Sequence, residues 1–147
     1  MRNKITVLTM AVLLLLLAGL SGCAAQSSVA GKEATIRNRA DQITENILQA
    51  MNNADYTRYS ESFDEPMKRA LPEEKFFEVN EAIKAKIGTY LTKEFVNMET
   101  QGIYTIVLYK ARFSDEPEGV IVRSVFSGPA ENIYVSGFWL DSPNLRK

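Results

Sequence analysis

Ile103-Tyr104-Thr105-Ile106-Val107-Leu108-Tyr109-Lys110-Ala111-Arg112-Phe113 is the stretch that decides the fold. It is dense in β-branched and aromatic residues, which suit a pleated, half-buried surface. Alternate strand residues point to opposite faces. Ile103, Val107, Tyr109 and Phe113 therefore share one face, and Tyr104, Ile106 and Leu108 share the other, followed there by Lys110 and Arg112. Upstream, Thr89 to Glu99 reads as a strand that turns at Thr100-Gln101-Gly102. Downstream, Ser114 to Gly119 reads as a polar loop, Val120 to Phe126 as a third strand, Gly128 to Asn132 as a turn and Ile133 to Leu140 as a fourth strand. Connections this short join antiparallel neighbours, because parallel pairs need a long crossover.

Ahead of the strands the period changes from two to that of helices. Ile36, Ala40, Ile43, Ile47 and Ala50, with Leu48 and Met51 beside them, recur in steps of four and three over Lys32–Asn53. That pattern makes one apolar helix face. Asp55 is placed to cap a second helix through Phe63, on which Tyr56, Tyr59 and Phe63 repeat. Asp64-Glu65-Pro66 opens another short piece. Pro72 opens a longer helix with Glu73 and Glu74 near its positive end, a buried face of Phe76, Val79 or Asn80, Ile83 and Ile87, and a stop at Gly88. Helices first and a strand meander second is an α+β pattern. The sheet is expected to be antiparallel, four-stranded and curled over the first helix.

The amino terminus has a separate logic. Arg2 and Lys4 precede an apolar run from Ile5 to Leu20, which ends at Leu20-Ser21-Gly22-Cys23. A basic start, an apolar core and small residues at the end are the parts of a secretory signal. The last four residues resemble the lipobox of bacterial lipoproteins at every position. That resemblance implies diacylglyceryl transfer to the Cys23 sulfur, cleavage between Gly22 and Cys23, and acylation (palmitate or a similar chain) of the freed amine. One acyl chain binds membranes only marginally, whereas two or three anchor stably. A membrane span wants about 20 apolar residues, more than this run supplies. The expected organisation is a cleaved signal at 1–22, a lipidated tether at 23–31 and a single domain at 32–147 of unknown function. The location is the cell envelope, on the outer side of the cytoplasmic membrane. As an extended tether, Ala24 to Gly31 would reach about 26–29 Å.

Composition excludes several chemistries. The chain has no His and one Cys, Cys23, which the lipid consumes. That removes the usual general base, the Ser-His and Cys-His nucleophile pairs, disulfides and thiolate metal sites. Loss of Arg2 and Lys4 with the signal takes the formal net charge from −1 to −3. An acidic domain gives no electrostatic reason to expect nucleic acid. No cofactor is implied.

From Ile36 to Leu140 the chain resembles a family of uncharacterised, mostly lipid-anchored domains with the nuclear transport factor 2-like fold. The residues that carry the likeness are the long first helix, Asp55-Tyr56, Leu71-Pro72, the helix ending at Ile87-Gly88, Tyr90 and the strand meander. The resemblance implies a cystatin-like cone, a sheet wrapped on helices with a cavity at its open end. It implies no activity, since this fold hosts enzymes, binding proteins and dimerisation modules alike.

Within that frame the candidate sites are these. Tyr56, Tyr59, Tyr90, Tyr134 and Trp139 could line a pocket for a small apolar ligand, or simply fill the core of a curved sheet. Tyr104, Ile106, Leu108, Ile121 and Val125 make a second apolar face that the helices cannot cover. Such a face points to a homodimer or a protein partner, and related folds often dimerise there. Arg112 and Arg123 could receive a carboxylate or stand as solvent-face charges. Glu73 and Glu74 point about 100° apart on a helix and do not converge. Asp115, Glu116 and Glu118 lack the oxygens and internal Gly of a calcium loop. Enzymes of this fold such as ketosteroid isomerase place an Asp base in the cone; here Asp141 lies just past the last strand and Asp64 in a helix connection, and no spacing singles either out. The function expected is a lipid-anchored binding or interaction domain. The alternative is a metal-free acid–base isomerase or hydrolase acting in the cone, and no residue is assigned as catalytic.

Overall fold

In a computed structural model, residues 24–147 are described, with side chains from Val29 onward. The expected signal and cleavage site, with Cys23, lie outside the described residues. The chain divides into two compact units, Met1–Ala34 and Thr35–Lys147.

Among the described residues, four helices precede four strands. Helix α1 spans Ala24–Asn53, α2 Tyr56–Ser60, α3 Glu65–Ala70 and α4 Glu73–Ile87. The strands are β1 Tyr90–Gln101, β2 Tyr104–Phe113, β3 Glu116–Ser127 and β4 Tyr134–Asp141, all antiparallel, in the order β1-β2-β3-β4. The chain is therefore an α+β fold with amino-terminal helices packed against a four-stranded antiparallel sheet.

The helix boundaries follow local chemistry. Asp55 Oδ1 accepts from Arg58 N at 3.0 Å and Asp64 Oδ1 from Met67 N at 2.8 Å. Each satisfies one of the amide donors that a helix start leaves without a partner. Pro72 sits one position earlier than expected, as the N-cap of α4. Gly88 ends α4 at φ 78°, with a Cβ position already taken by Ser114 Oγ. Only glycine fits there. Helix α1 begins at Ala24 rather than Lys32, so the segment read as a tether is helical. At a helical rise of about 1.5 Å per residue it is less than half its extended length.

The start of β3 differs from expectation. Glu116 to Gly119 belongs to β3, because Phe113 pairs with Glu116 across a turn made only of Ser114 and Asp115. Pro117 is tolerated since β4 reaches only as far as Ile121, leaving that stretch of β3 as an edge. Register shifts occur at Leu91 and Val96 of β1, at Ser136 of β4, and in β3, where Pro117 to Gly119 stand opposite Arg112 alone. Each bulge bends its strand and increases its twist, and together they curl the sheet.

The core fills the concave face. From α1 come Ala40, Ile47, Leu48, Ala50 and Met51, from α2 and α4 Tyr59, Phe76 and Ile87, and from the link between α2 and α3 Phe63, which bridges to Val135. Val107, Tyr109, Ala111, Phe113, Val120, Val122, Phe126 and Val135 meet them from the strands. Ile36 and Ile43, expected at the centre of the stripe, are only partly buried, whereas Thr44 is fully buried. The buried stripe is thus centred on Thr44, Ile47 and Met51. Asn80 of α4 donates to Met51 O at 2.8 Å and ties the two long helices together.

Candidate functional site

Two surfaces of the sheet carry chemistry. The first is on the concave side, where β1 passes α1. The bulges at Leu91 and Val96 reset the alternation, so that Tyr90, Lys93, Phe95 and Met98 all face inward. Lys93 is consequently a charged residue in an apolar setting, its side chain 6% exposed. It lies 2.5 Å from Asp41 Oδ1 and 3.6 Å from Glu45 Oε2, with its ammonium 4.8 Å from the centre of the Tyr109 ring. Asp41 and Glu45 are one helical turn apart, which puts both carboxylates on one side of α1.

Tyr90 donates to Glu45 Oε2 at 2.7 Å. Burial first, and then the Glu45 carboxylate, push its phenol well above the usual range. The Tyr90 backbone is clasped by Asn52, which donates to its carbonyl and accepts from its amide, both at 2.8 Å. Arg37 stacks on Phe95 at 3.9 Å. Deeper in, Thr44 and Ser124 hydroxyls are 3.0 Å apart, and Tyr109 Oη is buried without a hydrogen bond. Burial raises the Tyr109 phenol above the usual range. The arrangement is a closed ion and hydroxyl network: each Lys93 and Glu45 charge already faces a partner.

The second surface is the convex face of β2, β3 and β4. Ile106 pairs with Val125, and both are buried although they stand outside the main core. Trp139 contributes to this cover. Its ring lies across Gly137, where an added Cβ would come within 2.2 Å of it, and Gly137 is the partner of Val125. Arg123 sits opposite Trp139, its guanidinium 5.0 Å from the ring. Trp139 nonetheless remains 52% exposed, with Ile121 and Tyr104 also open to solvent.

The expected pocket residues do not converge. Tyr56 and Tyr59 meet Phe76 at 5.7 and 4.5 Å, in the cluster below α4, where Tyr56 donates to Leu71 O. Tyr90 belongs to the Lys93 network, and Tyr134 and Trp139 stand on the convex face. Two small depressions, each with about 10 Å³ of interior space, share Met51, Asn80 and Ile83. Of the five tyrosine and tryptophan candidates, Tyr59 lines the first of these. The proposed interface residues do share one face, with Ile106 and Val125 packed and Tyr104 and Ile121 exposed.

The remaining candidates have structural work. Glu116 is buried and accepts from Asn144 N at 3.0 Å, holding the carboxy-terminal turn. The Ser142 hydroxyl, followed by the backbone amides, keeps its carboxyl below the usual range. Asp141 pairs with Arg146, and Asp64 caps α3 while accepting from Ser136 at 2.6 Å. Among the described residues, no group of three or more His, Cys, Asp or Glu gathers at metal distance, and no helix is long and apolar enough to cross a membrane. Reading from residues alone passed over Lys93, Asp41 and Glu45. The available signal was the spacing of Asp41 and Glu45 beside the buried stripe.

No curated protein and no solved structure matches the chain at a significant level. Residues 44–138, more than half of its length and nearly all of the helix-and-sheet unit just described, match the family described as "Protein of unknown function (DUF3887)", and the chain belongs to that family.

Proposed function

We propose that this is a lipid-anchored domain on the outer side of the cytoplasmic membrane that binds a protein partner, in the simplest case a second copy of itself, through the convex face of its sheet. The anchor rests on the Leu20-Ser21-Gly22-Cys23 match. The observation that carries the binding role is Trp139, half-exposed above a packed Ile106–Val125 pair and backed by Arg123. A rigid aromatic beside an arginine is the usual composition of an interface anchor. A small apolar ligand has less support, since each depression holds only about 10 Å³. The acid–base alternative also has less, because Asp64 and Asp141 are already engaged as a cap and an ion pair.

The test has two arms. Mass and fractionation of the mature protein, beside Cys23→Ser, report the anchor; an unlipidated parent would remove it. Sedimentation of residues 24–147 at high micromolar concentration reports self-association. A dimer that Trp139→Asp or Leu108→Asp dissociates supports the convex face. A monomer unaffected by either change restricts the role to a foreign partner.

A further inference from the structure

Strand β1 runs opposite to α1. Tyr90 meets Glu45, Lys93 meets Asp41, and Phe95 meets Arg37, so the contacts descend the helix as the strand advances. Beyond Phe95, β1 continues to Gln101 and turns at Gly102, φ 61°. The β1–β2 hairpin tip therefore lies at the end of this unit where the chain enters at Thr35. Cys23 precedes Thr35 by twelve residues, and with the chain helical from Ala24 the reach is about 18 Å.

That tip is apolar. Ile103 is 77% exposed and Tyr104 follows it. The register Thr105↔Phe126 and Ser127↔Tyr134 places Tyr134 in the same row of the sheet as Tyr104, about 10 Å away at two strand spacings. The opposite end is built from Ser114, Asp115 and Glu118. Single exposed apolar residues need no explanation. Here an exposed isoleucine is joined by two exposed tyrosines, the residues that favour a bilayer interface, at the end from which the anchor departs. No Lys or Arg lies in 99–105 or 127–134, whereas Glu99 and Glu131 do. Any contact there with lipid is by apolar insertion rather than by attraction to anionic headgroups.

We propose that the β1–β2 hairpin is a membrane-contact element, with Ile103 inserted among the lipid headgroups and Tyr104 and Tyr134 at the water boundary. This rests on the lipid-anchor reading. The anchor holds the domain near the bilayer, so that even a weak second contact is populated and fixes which end faces the lipid.

The experiment uses the full mature chain in phosphatidylcholine vesicles. Because Cys23 carries the lipid, Ile103→Cys supplies a single free thiol for an environment-sensitive fluorophore, and Glu118→Cys supplies one at the far end. The label at 103 is expected to shift to the blue and be quenched by spin-labelled lipid, while the label at 118 does neither. If mass shows the lipid on Cys23, the protein stays on the vesicles and both labels report water, the hairpin proposal fails and the anchor stands. A blue shift without quenching by the spin-labelled lipid places position 103 in a protein contact and also overturns it. A mass without lipid sinks the anchor reading, and the proposal with it.

Discussion

Lys93 donates to Asp41 across 2.5 Å, yet the Lys93 side chain is 6% exposed while that of Asp41 is half in water. The two ends of one ion pair therefore differ in what they lose when the other is removed. Without Lys93, Asp41 and Glu45 rehydrate. Without the carboxylates, a buried ammonium has only the Tyr109 ring. Lys93→Met is expected to cost less than about 1.5 kcal/mol, as for a volume-conserving apolar replacement. Asp41→Ala with Glu45→Ala is expected to cost about 3 kcal/mol, the lower end for a stranded buried charge. Urea denaturation of the two variants measures both, and equal costs would refute the asymmetry.

Ile43 and Ile47 occupy the same face of α1 but differ in burial, partial for the first and nearly complete for the second. Ile47→Ala should cost about 2–5 kcal/mol through lost transfer energy and the cavity left behind. Ile43→Ala should cost measurably less. The same denaturation series checks the order, and its reversal would move the buried stripe back to Ile43.

Trp139 and Gly137 are two residues apart on one face of β4, with the indole across the glycine. Gly137→Ala puts a methyl where the ring lies, and the ring must swing out. The expected cost is about 1–3 kcal/mol. Since the chain has one Trp, intrinsic fluorescence reads the movement directly as a shift to the red. Unchanged emission would mean that the ring does not cover Gly137.

Glu116 holds the carboxy-terminal turn with its carboxyl depressed below the ordinary value of 4.5. A folded-state pKa below the unfolded one means that stability from this group is complete above about pH 4.5 and is lost as pH falls through the lower, folded value. Protection of the Asn144 and Leu145 amides, measured against the intrinsic exchange rate at each pH, should therefore fall on acidification before the core opens. Glu116→Gln should lack that acid step and show low protection at every pH. Parallel pH profiles for the two proteins would contradict the assignment.

Much of the fold is local and was readable along the chain. Asp55 and Asp64 cap helices because a short carboxylate reaches an amide three residues on, and Gly88 stops α4 because its φ admits no side chain. The β-rich run Ile103–Phe113 makes a strand because its residues suit a pleated surface. The lipobox reading likewise belongs to the sequence alone.

The candidate sites were less legible because they depend on which way a strand's side chains point after it has been bent. Plain alternation puts Tyr90, Thr92, Glu94, Val96 and Met98 on one face of β1, and Lys93 with Leu91 and Phe95 on the other. The bulges at Leu91 and Val96 bring Tyr90, Lys93, Phe95 and Met98 to the inner face instead. Bulges arise from the need of a curved sheet to follow α1, a demand that comes from packing between distant segments and leaves no period in the sequence. The convex face has the same origin: Ile106 and Val125 looked like bare interface, and only the pairing of β3 with β4 laid Trp139 across Gly137 beside them. Secondary structure and its ends were thus determined by residues near one another in the chain. The partners of Lys93 and the cover over Val125 were decided by the tertiary fold, because they join groups that only the curled sheet brings within reach.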